Sequence, residues 1–260
     1  MIDTHCHLEQ PDYASDRDAV IAACKKRLQA VVTCCANPEH FDLTMQLARE
    51  HRGFLFACAS LHPRYVKDVD GRRLKAYLKA ILSHQQDLVA IGETGLDFNW
   101  ITDADGQERQ KHLFIEFIAL ADHLHLPVVV HSRNATAETL NVLEDQNAKA
   151  VQMHMFTTPA LLNRVLENGW LISVNTLLLR SKTVKRIVRD CPLERMMLET
   201  DAPWLGLGQD GSIKPKHVVR NEPTAVHLVA KKIAEIKKLN VLEVDQQTTE
   251  TAKRFFKLRV

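Results

Sequence analysis

The feature of this sequence that most constrains its fold is a series of eight short apolar runs, separated by longer segments with helical periodicity. The runs are continuous rather than alternating in polarity, which is typical of strands buried on both faces of a parallel sheet. We therefore predict eight strands, at Met1–His5, Ala30–Cys35, Phe54–Ser60, Leu88–Gly92, Pro127–Val130, Lys149–Met153, Trp170–Val174 and Arg195–Leu198.

Helices with recognisable ends lie between the predicted strands. Asn37 followed by Pro38 indicates a helix start, because asparagine caps the first turn and proline suits the first helical position. Gly106–Leu126 carries one apolar stripe at helical spacing and is the clearest helix of the chain. Two further helices are predicted at Pro223–Leu239 and Leu242–Lys257. The pattern is that of eight consecutive strand–helix units.

Eight such units in 260 residues, without a linker or a break in composition, predict an α/β fold with one domain over residues 1–260. The architecture that this size and order favour is a (β/α)8 TIM barrel. The alternative is an open, doubly wound sheet. That fold would need a glycine-rich first turn, and the first turn here reads THCHLEQ, without a glycine.

Composition limits the function classes. The formal net charge is +2 with 25% charged residues, which does not indicate a strongly cationic nucleic-acid binder. No stretch approaches the roughly 18 apolar residues of a membrane helix, and the first residues lack the apolar region of a signal peptide. The six cysteines form no C-x-x-C pair, so we expect reduced thiols in a cytoplasmic protein rather than a cysteine metal site. No membrane association or obligate protein partner is implied.

Side chains that can bind metal follow the predicted strands at the ends that share one mouth of a barrel, where active sites lie. The first strand ends in His5-x-His7, and this i, i+2 spacing places both histidines on the same side, able to share one ion. A single histidine at such a position would usually be an ordinary core or loop residue. Residue types that bind metal occur at the ends of several further predicted strands, and this coincidence favours a metal site. These residues are His62, Glu93, His131, His154 and Asp201.

This set exceeds what one tetrahedral ion requires, so we predict two divalent ions. Glu93 is central in strand order and is the expected bridge between them. His5, His7 and Asp201 would hold one ion. The other ion would be held by His131 and His154. Such a pair turns water into a nucleophile near neutral pH, and Asp201 could orient that water and accept its proton.

Several motifs along the chain resemble those of one known family. They are DTHCHL at Asp3–Leu8, LHP at Leu61–Pro63, IGETGLDF at Ile91–Phe98, PVVVHSRNA at Pro127–Ala135, ETDAPWL at Glu199–Leu205 and RNEP at Arg220–Pro223. With these motifs in this order, the chain resembles the TatD family of metal-dependent deoxyribonucleases, within the amidohydrolase superfamily.

The resemblance implies metal ligands at the same positions as the strand-end argument, namely His5, His7, Glu93, His131, His154 and Asp201. It also implies that His62 is an active-site histidine that meets substrate phosphate. The family cleaves phosphodiester bonds in DNA, often from a 3′ end, with a divalent metal such as Mg²⁺.

Substrate contacts are expected around the mouth. Arg133 lies two residues after His131 and could bind phosphate through its planar guanidinium, although a surface arginine at a helix start is an open alternative. Arg220 could also reach phosphate. Trp100 and Trp204, on loops after strands four and eight, could stack a base or pack as a lid.

The leading hypothesis is a cytoplasmic deoxyribonuclease, acting as a 3′–5′ exonuclease on single-stranded DNA. It would use two divalent ions, with Mg²⁺ in activity and Zn²⁺ or Mn²⁺ also compatible with imidazole ligands. One alternative is an amidohydrolase acting on an amide, ester or lactone, because many chemistries share this barrel. Such enzymes often bridge their ions with a modified lysine at the end of strand four, where this chain has Glu93. The other alternative is a non-catalytic binding protein in which the metals are structural.

Overall fold

The computed structural model describes residues 1–208 and 219–260, and its central feature is an eight-stranded parallel sheet whose strands follow one another in chain order. The predicted (β/α)8 barrel is confirmed. The strands are β1 (Ile2–Cys6), β2 (Ala30–Cys35), β3 (Leu55–Ala59), β4 (Leu88–Asp97), β5 (Val128–Arg133), β6 (Val151–Met153), β7 (Leu171–Val174) and β8 (Met196–Leu198).

Helices connect the strands and surround the barrel. Within the described residues they are α1 (Arg17–Lys25), α2 (Phe41–Glu50), α3 (Gly71–Ser83), α4 (Ala104–Leu124), α5 (Thr136–Asp145), α6 (Leu162–Glu167), α7 (Lys182–Asp190), α8 (Val226–Lys237) and α9 (Val241–Phe256). Among these helices, none is long and apolar enough to cross a membrane.

The predicted helix ends differ from the observed ones by a few residues, for local reasons. Asn37 caps as expected, since its side chain accepts a hydrogen bond from Glu39 N, but a short 3₁₀ turn precedes α2. The long helix α4 begins earlier than predicted because the Asp103 side chain caps it. It ends before Pro127 because His125 adopts a left-handed conformation with φ 54°.

The barrel closes where β8 meets β1. His7 N donates to Ala202 O at 2.8 Å, and Asp201 N donates to His5 O at 2.9 Å. Inside the barrel, Thr4 Oγ1 donates to Leu198 O at 2.9 Å. These bonds bring the beginning of the chain against a segment almost two hundred residues later, as the first and last strands of a barrel must be.

Two apolar layers explain why the strands are continuously hydrophobic. The larger layer fills the space between the barrel and its helices and includes Cys6, Phe114 and Trp170. The smaller layer fills the barrel interior and includes Ile2, Cys34, Cys58, Val129 and Met197, with Phe256 and Leu258 packed against it from the chain end. Each strand is therefore buried on both faces.

Strand β4 is longer than predicted, and this changes the position of Glu93. The strand continues to Asp97, so Glu93 lies inside it rather than at its end. The pairing of β4 with β5 shifts register between Gly92 and Thr94. Gly95 has φ 142°, and a Cβ at this position would overlap the carbonyl oxygen of His131. Glycine therefore permits the close approach of β4 to β5 that brings Glu93 to His131.

Candidate metal centre

The side chains predicted to bind metal meet at the mouth formed by the carboxyl ends of the strands. Five of these residues are each less than a tenth exposed, namely His5, His7, Glu93, His131 and His154. The Asp201 side chain is 14% exposed. Polar groups this deeply buried need partners, and these have one another.

The first cluster joins β1, β4 and the loop after β8. The Nε2 atoms of His5 and His7 lie 3.1 Å apart, so the two imidazoles point to one place, as their spacing predicts. Glu93 Oε2 lies 3.4 Å from His5 Nε2 and 3.8 Å from His7 Nε2. Asp201 Oδ1 lies 3.8 and 3.5 Å from the same two atoms. Four side chains thus direct potential metal-ligand atoms into one small volume.

The second cluster joins β4, β5 and the loop after β6. Glu93 Oε1 lies 2.6 Å from His131 Nδ1 and 3.7 Å from His154 Nε2. His154 Nε2 also lies 3.9 Å from Asp201 Oδ1. Two groups of three residues each bring one potential ligand atom per residue within 4.8 Å of the other two. These groups are His5–His7–Glu93 and Glu93–His131–His154.

Glu93 connects the two clusters because its two carboxylate oxygens face different imidazoles. Burial alone would raise the pKa of Glu93, but His62, His154 and His131 hold it well below its usual range, so the group is a carboxylate. An ionised carboxylate among imidazole nitrogens is a donor set that suits divalent transition ions and zinc. The residues therefore fit the predicted pair of ions with Glu93 between them.

Carboxylates also lie behind three of the four histidines. In each case the imidazole nitrogen that faces away from the cluster contacts a buried carboxylate oxygen, an arrangement that orients metal-binding histidines and fixes their tautomer. The pairs are His7 with Glu9 at 3.3 Å, His131 with Asp97 at 3.0 Å and His154 with Glu199 at 2.8 Å.

His5 differs from the other three histidines. Its Nδ1 contacts Cys34 Sγ at 3.3 Å, and Cys34 Sγ in turn lies against Cys58 Sγ across the β2–β3 pair. A proton on His5 Nδ1 would be donated to the sulfur, which leaves Nε2 as the lone-pair donor toward the cluster. Cys6, in contrast, belongs to the helix-facing layer.

The carboxylates decide the protonation of the second cluster. Burial lowers the pKa of an imidazole, but at His154 the charges of Glu199 and Glu93 outweigh it and raise the pKa to about 10. Burial likewise opposes protonation of His131, and Glu93 and Asp97 raise its pKa above the ordinary value. Without a metal, the His154 imidazole holds a proton at pH 7 that an ion must displace, and the carboxylates favour the protonated form of His131 as well.

His5, in β1, and His7, one residue after it, have pKa values shifted in opposite directions. Burial would lower the pKa of His7, but Asp201 and Glu9 raise it well above its ordinary value. The pKa of His5 is lowered by burial and by the neighbouring His154. His5 is therefore the imidazole most ready to present a neutral nitrogen.

His62 lies beside the second cluster, three residues beyond the end of β3. Its Nδ1 accepts a hydrogen bond from Arg64 N at 3.0 Å, and its Nε2 lies 3.7 Å from Glu93 Oε1. Burial and His131 lower its pKa to about 3, so the ring is neutral at pH 7. With Nδ1 accepting, the proton lies on Nε2 and can be donated into the site.

The two predicted phosphate-binding arginines lie in different surroundings. Arg133 ends β5, is exposed, and lines a surface pocket beside the mouth. The Arg220 guanidinium pairs with both oxygens of Asp16 at 2.7 Å and lies 4.4 Å from the Tyr13 ring centre. Arg220 therefore links the segment before α8 to the loop before α1, and its predicted phosphate contact stays a prediction.

Sequence reasoning did not assign roles to four residues behind the ligands, namely Glu9, Cys34, Asp97 and Glu199. A signal was present for two of them. Glu9 follows His7 by two residues, and Glu199 precedes Asp201 by two, so each continues the alternate spacing at its strand end. Glu199 also accepts hydrogen bonds from Ser173 Oγ at 2.5 Å and from Met155 N at 2.9 Å.

Comparisons with known proteins agree with this geometry. The family model described as TatD-related DNase matches residues 2–257. Deoxyribonuclease TATDN3 of Homo sapiens is 35% identical over 270 residues, covering 100% of this chain and 96% of that protein. The 3′-5′ ssDNA/RNA exonuclease TatD of Erwinia tasmaniensis is 30% identical over 265 residues, covering 99% and 100%.

A solved structure gives the same result for the fold. The TatD homologue YJJV of Escherichia coli superposes with a TM-score of 0.88 at 24% identity, covering 100% of this chain and 98% of that one. The family model spans nearly the whole chain, and the two relatives, at 35% and 30% identity, align over 96% and 100% of their own length. The chain therefore belongs to the family of TatD-related DNases.

Proposed function

We propose that this protein hydrolyses phosphodiester bonds of DNA, as a 3′–5′ exonuclease on single strands, with two divalent ions. The observation that carries the proposal is Glu93, whose Oε2 faces His5 and His7 while its Oε1 faces His131 and His154. A carboxylate shared in this way could contribute one oxygen to each of two ions, and paired divalent ions are used in phosphodiester hydrolysis.

Each residue of the mouth has a role in this proposal. His5, His7 and Asp201 would hold one ion, His131 and His154 would hold the other, and Glu93 would contribute a carboxylate oxygen to each. When bound, the ions supply a nucleophilic water near neutral pH and stabilise charge on the phosphate. Asp201 would orient that water and accept its proton, because its carboxylate faces both clusters and is the most exposed of the proposed ligands.

Substrate phosphate is held by neutral and cationic donors. His62 Nε2–H faces the cluster and donates to a phosphate oxygen, and its low pKa keeps it neutral so that it does not repel the ions. Arg133, exposed beside the mouth, pairs with the next phosphate along the strand. Both roles suit an oxygen-rich anionic substrate better than an amide or a lactone.

Metal identity and location complete the proposal. We propose Mg²⁺ as the ion of activity, with Mn²⁺ or Zn²⁺ also accepted because four of the ligands are imidazoles. We place the protein in the cytoplasm, because its six cysteines are buried free thiols, which are typical of reducing compartments.

A cleavage assay on labelled single-stranded DNA tests the proposal. Oligonucleotides labelled at the 5′ end are incubated with purified protein and Mg²⁺, Mn²⁺ or Zn²⁺, each tested alone. We expect a ladder that shortens one nucleotide at a time, as attack from the 3′ end produces. Glu93→Gln, which keeps the side-chain shape but removes the charge, should abolish the ladder.

The same assay separates the proposal from its alternative. A panel of amides, esters and lactones is tested with the same preparations. Turnover of that panel, with DNA uncut under every metal, would contradict the nuclease proposal and support an amidohydrolase. If Glu93→Gln cleaves DNA as the unmodified protein does, the cleavage comes from a contaminant.

A further inference from the structure

Trp204 lies at the edge of the candidate metal centre and is not part of it. It follows Asp201 by three residues, and its backbone N–H donates to Asp201 O at 2.9 Å. Its ring centre is 4.6 Å from that of His7, with 61° between the ring planes. With residues 1–208 and 219–260 in place, the side chain is still 45% exposed. A large apolar ring is thus partly exposed to solvent beside a charged cluster.

The loop that carries Trp204 is anchored by three different parts of the fold. Ala202 O accepts from His7 N at 2.8 Å, and Pro203 O accepts from Asn221 N at 3.0 Å. On the other side of the indole, Leu205 O accepts from Thr176 Oγ1 at 2.7 Å. The backbone on both sides of Trp204 is therefore held, and little conformational freedom remains to be lost when a ligand binds.

The other exposed tryptophan at the mouth has a different environment. Trp100, on the loop after β4, is 53% exposed, and the Arg64 guanidinium lies 4.6 Å from its ring centre. That arginine already occupies a face of the Trp100 ring. The third tryptophan, Trp170, is 1% exposed. Of the three indoles, Trp204 is the one that combines exposure with direct contact to a ligand of the centre.

We propose that Trp204 stacks against the base of the nucleotide whose phosphate lies at the candidate metal centre. This inference rests on the proposed function. Stacking on an aromatic ring tolerates any base, because every base has a π face, and it requires a base that is not stacked in a duplex. Trp204 is then a substrate-positioning residue that gives preference for single strands without sequence specificity.

Oligonucleotides with and without a base test this role. Single-stranded DNA is compared with the same DNA carrying one tetrahydrofuran abasic residue, at the 3′-terminal or at the penultimate position. For the normal DNA, we expect Trp204→Ala to raise KM by about five-fold to a hundred-fold, with a smaller change in kcat. Trp204→Phe should restore most of the loss, because phenylalanine keeps a stacking face.

The abasic DNA supplies the decisive comparison. If the proposal is correct, Trp204→Ala and the unmodified protein have the same KM on at least one of the two abasic oligonucleotides, because no base remains to be stacked. Trp100→Ala is the matched control and should change normal and abasic DNA equally. If Trp204→Ala weakens all substrates by the same factor, the stacking role is wrong.

A binding measurement separates this inference from the catalytic proposal. In Trp100→Phe, only Trp204 and the buried Trp170 emit, and titration with hydrolysis-resistant, phosphorothioate-linked single-stranded oligothymidine in the presence of Mg²⁺ should quench the emission of Trp204. The abasic strand should quench less, and absence of any difference would contradict the stacking role. Circular dichroism and metal stoichiometry report on the fold and on the centre alone. Values for Trp204→Ala equal to those of the unmodified protein show that the variant is folded and its centre intact.

Discussion

At the residue scale, the candidate metal centre includes carboxylates that lie behind its histidines and face away from the proposed ions. Glu199 accepts from His154, Ser173, Asn175 and Met155 N, so its position is fixed by three further groups. Through this network, Glu199 holds the tautomer of His154 that directs Nε2 toward Glu93. An outer carboxylate of this kind raises the basicity of its histidine and hence its affinity for the ion.

We predict that Glu199→Gln weakens metal binding by roughly ten-fold to a hundred-fold, because the amide no longer supplies a charge behind His154. Isothermal titration calorimetry of metal-stripped protein measures the affinity. Glu144→Gln is the control, since Glu144 pairs with Arg164 on the outer surface, away from the centre. An affinity in Glu199→Gln equal to that of the control would contradict the assigned role.

We also predict that metal binding releases protons at pH 7. Without an ion, the pKa of His154 is about 10 and that of His7 is raised well above its ordinary value, so both imidazoles are protonated. An ion binds only the deprotonated nitrogens, so affinity should rise as the pH rises from 6 to 8 and fall as the pH is lowered.

Titration calorimetry in two buffers of different ionisation enthalpy measures this release. The difference in observed heat gives the number of protons taken up by the buffer. Glu199→Gln should release fewer protons than the unmodified protein, because the pKa of His154 is lower without that charge. A heat that is the same in both buffers would contradict the prediction.

At the element scale, the approach of β4 to β5 depends on Gly95. The position combines φ 142° with direct contact to the His131 carbonyl, so a side chain would both strain the backbone and separate the strands. That separation would move Glu93 away from His131, which it contacts at 2.6 Å. One glycine therefore links the geometry of a strand pair to that of the centre.

We predict that Gly95→Ala lowers both the free energy of unfolding and the affinity for metal. Gly169→Ala is the matched control. Gly169 has φ 76° but open space around it, so alanine there meets only the backbone preference, about 1 kcal/mol. Thermal unfolding and metal titration of the two variants separate these effects. Equal losses of stability in both, with metal binding intact, would show that the strand contact is unimportant.

At the scale of the whole molecule, the two ends of the barrel have different roles. The carboxyl ends of the strands carry the candidate metal centre, whereas α9 and the residues after it pack against the barrel interior with Phe256 and Leu258. Phe256 is 2% exposed and Phe255, beside it, is partly buried. Stability and chemistry are thus placed at separate ends, as is usual in barrels of this kind.

We predict that Phe256→Ala lowers the free energy of unfolding by about 3–5 kcal/mol, the range for removing a buried aromatic side chain. Phe255→Ala should cost less, because that ring is already partly in water. At a temperature where both variants are folded, metal stoichiometry should be unchanged. Loss of metal from folded Phe256→Ala would show that the two ends are coupled.

Much of this protein could be predicted from local pattern. A continuous apolar run indicates a strand that is buried on both faces. Any strand between a barrel interior and a layer of helices is buried in this way, so the strands and their order could be predicted from the sequence. The i, i+2 spacing of His5 and His7 likewise determines that both imidazoles face one volume, since successive side chains on a strand alternate in direction.

Contacts between residues far apart in the chain were decided by the tertiary structure alone. Glu93 was expected at the end of a strand, but the long pairing of β4 with β5 places it inside one. Glu199 lies behind His154 across 45 positions, and the Arg220 guanidinium pairs with Asp16 across 204. Local pattern carries no information on such pairs, because closure of the barrel brings them together.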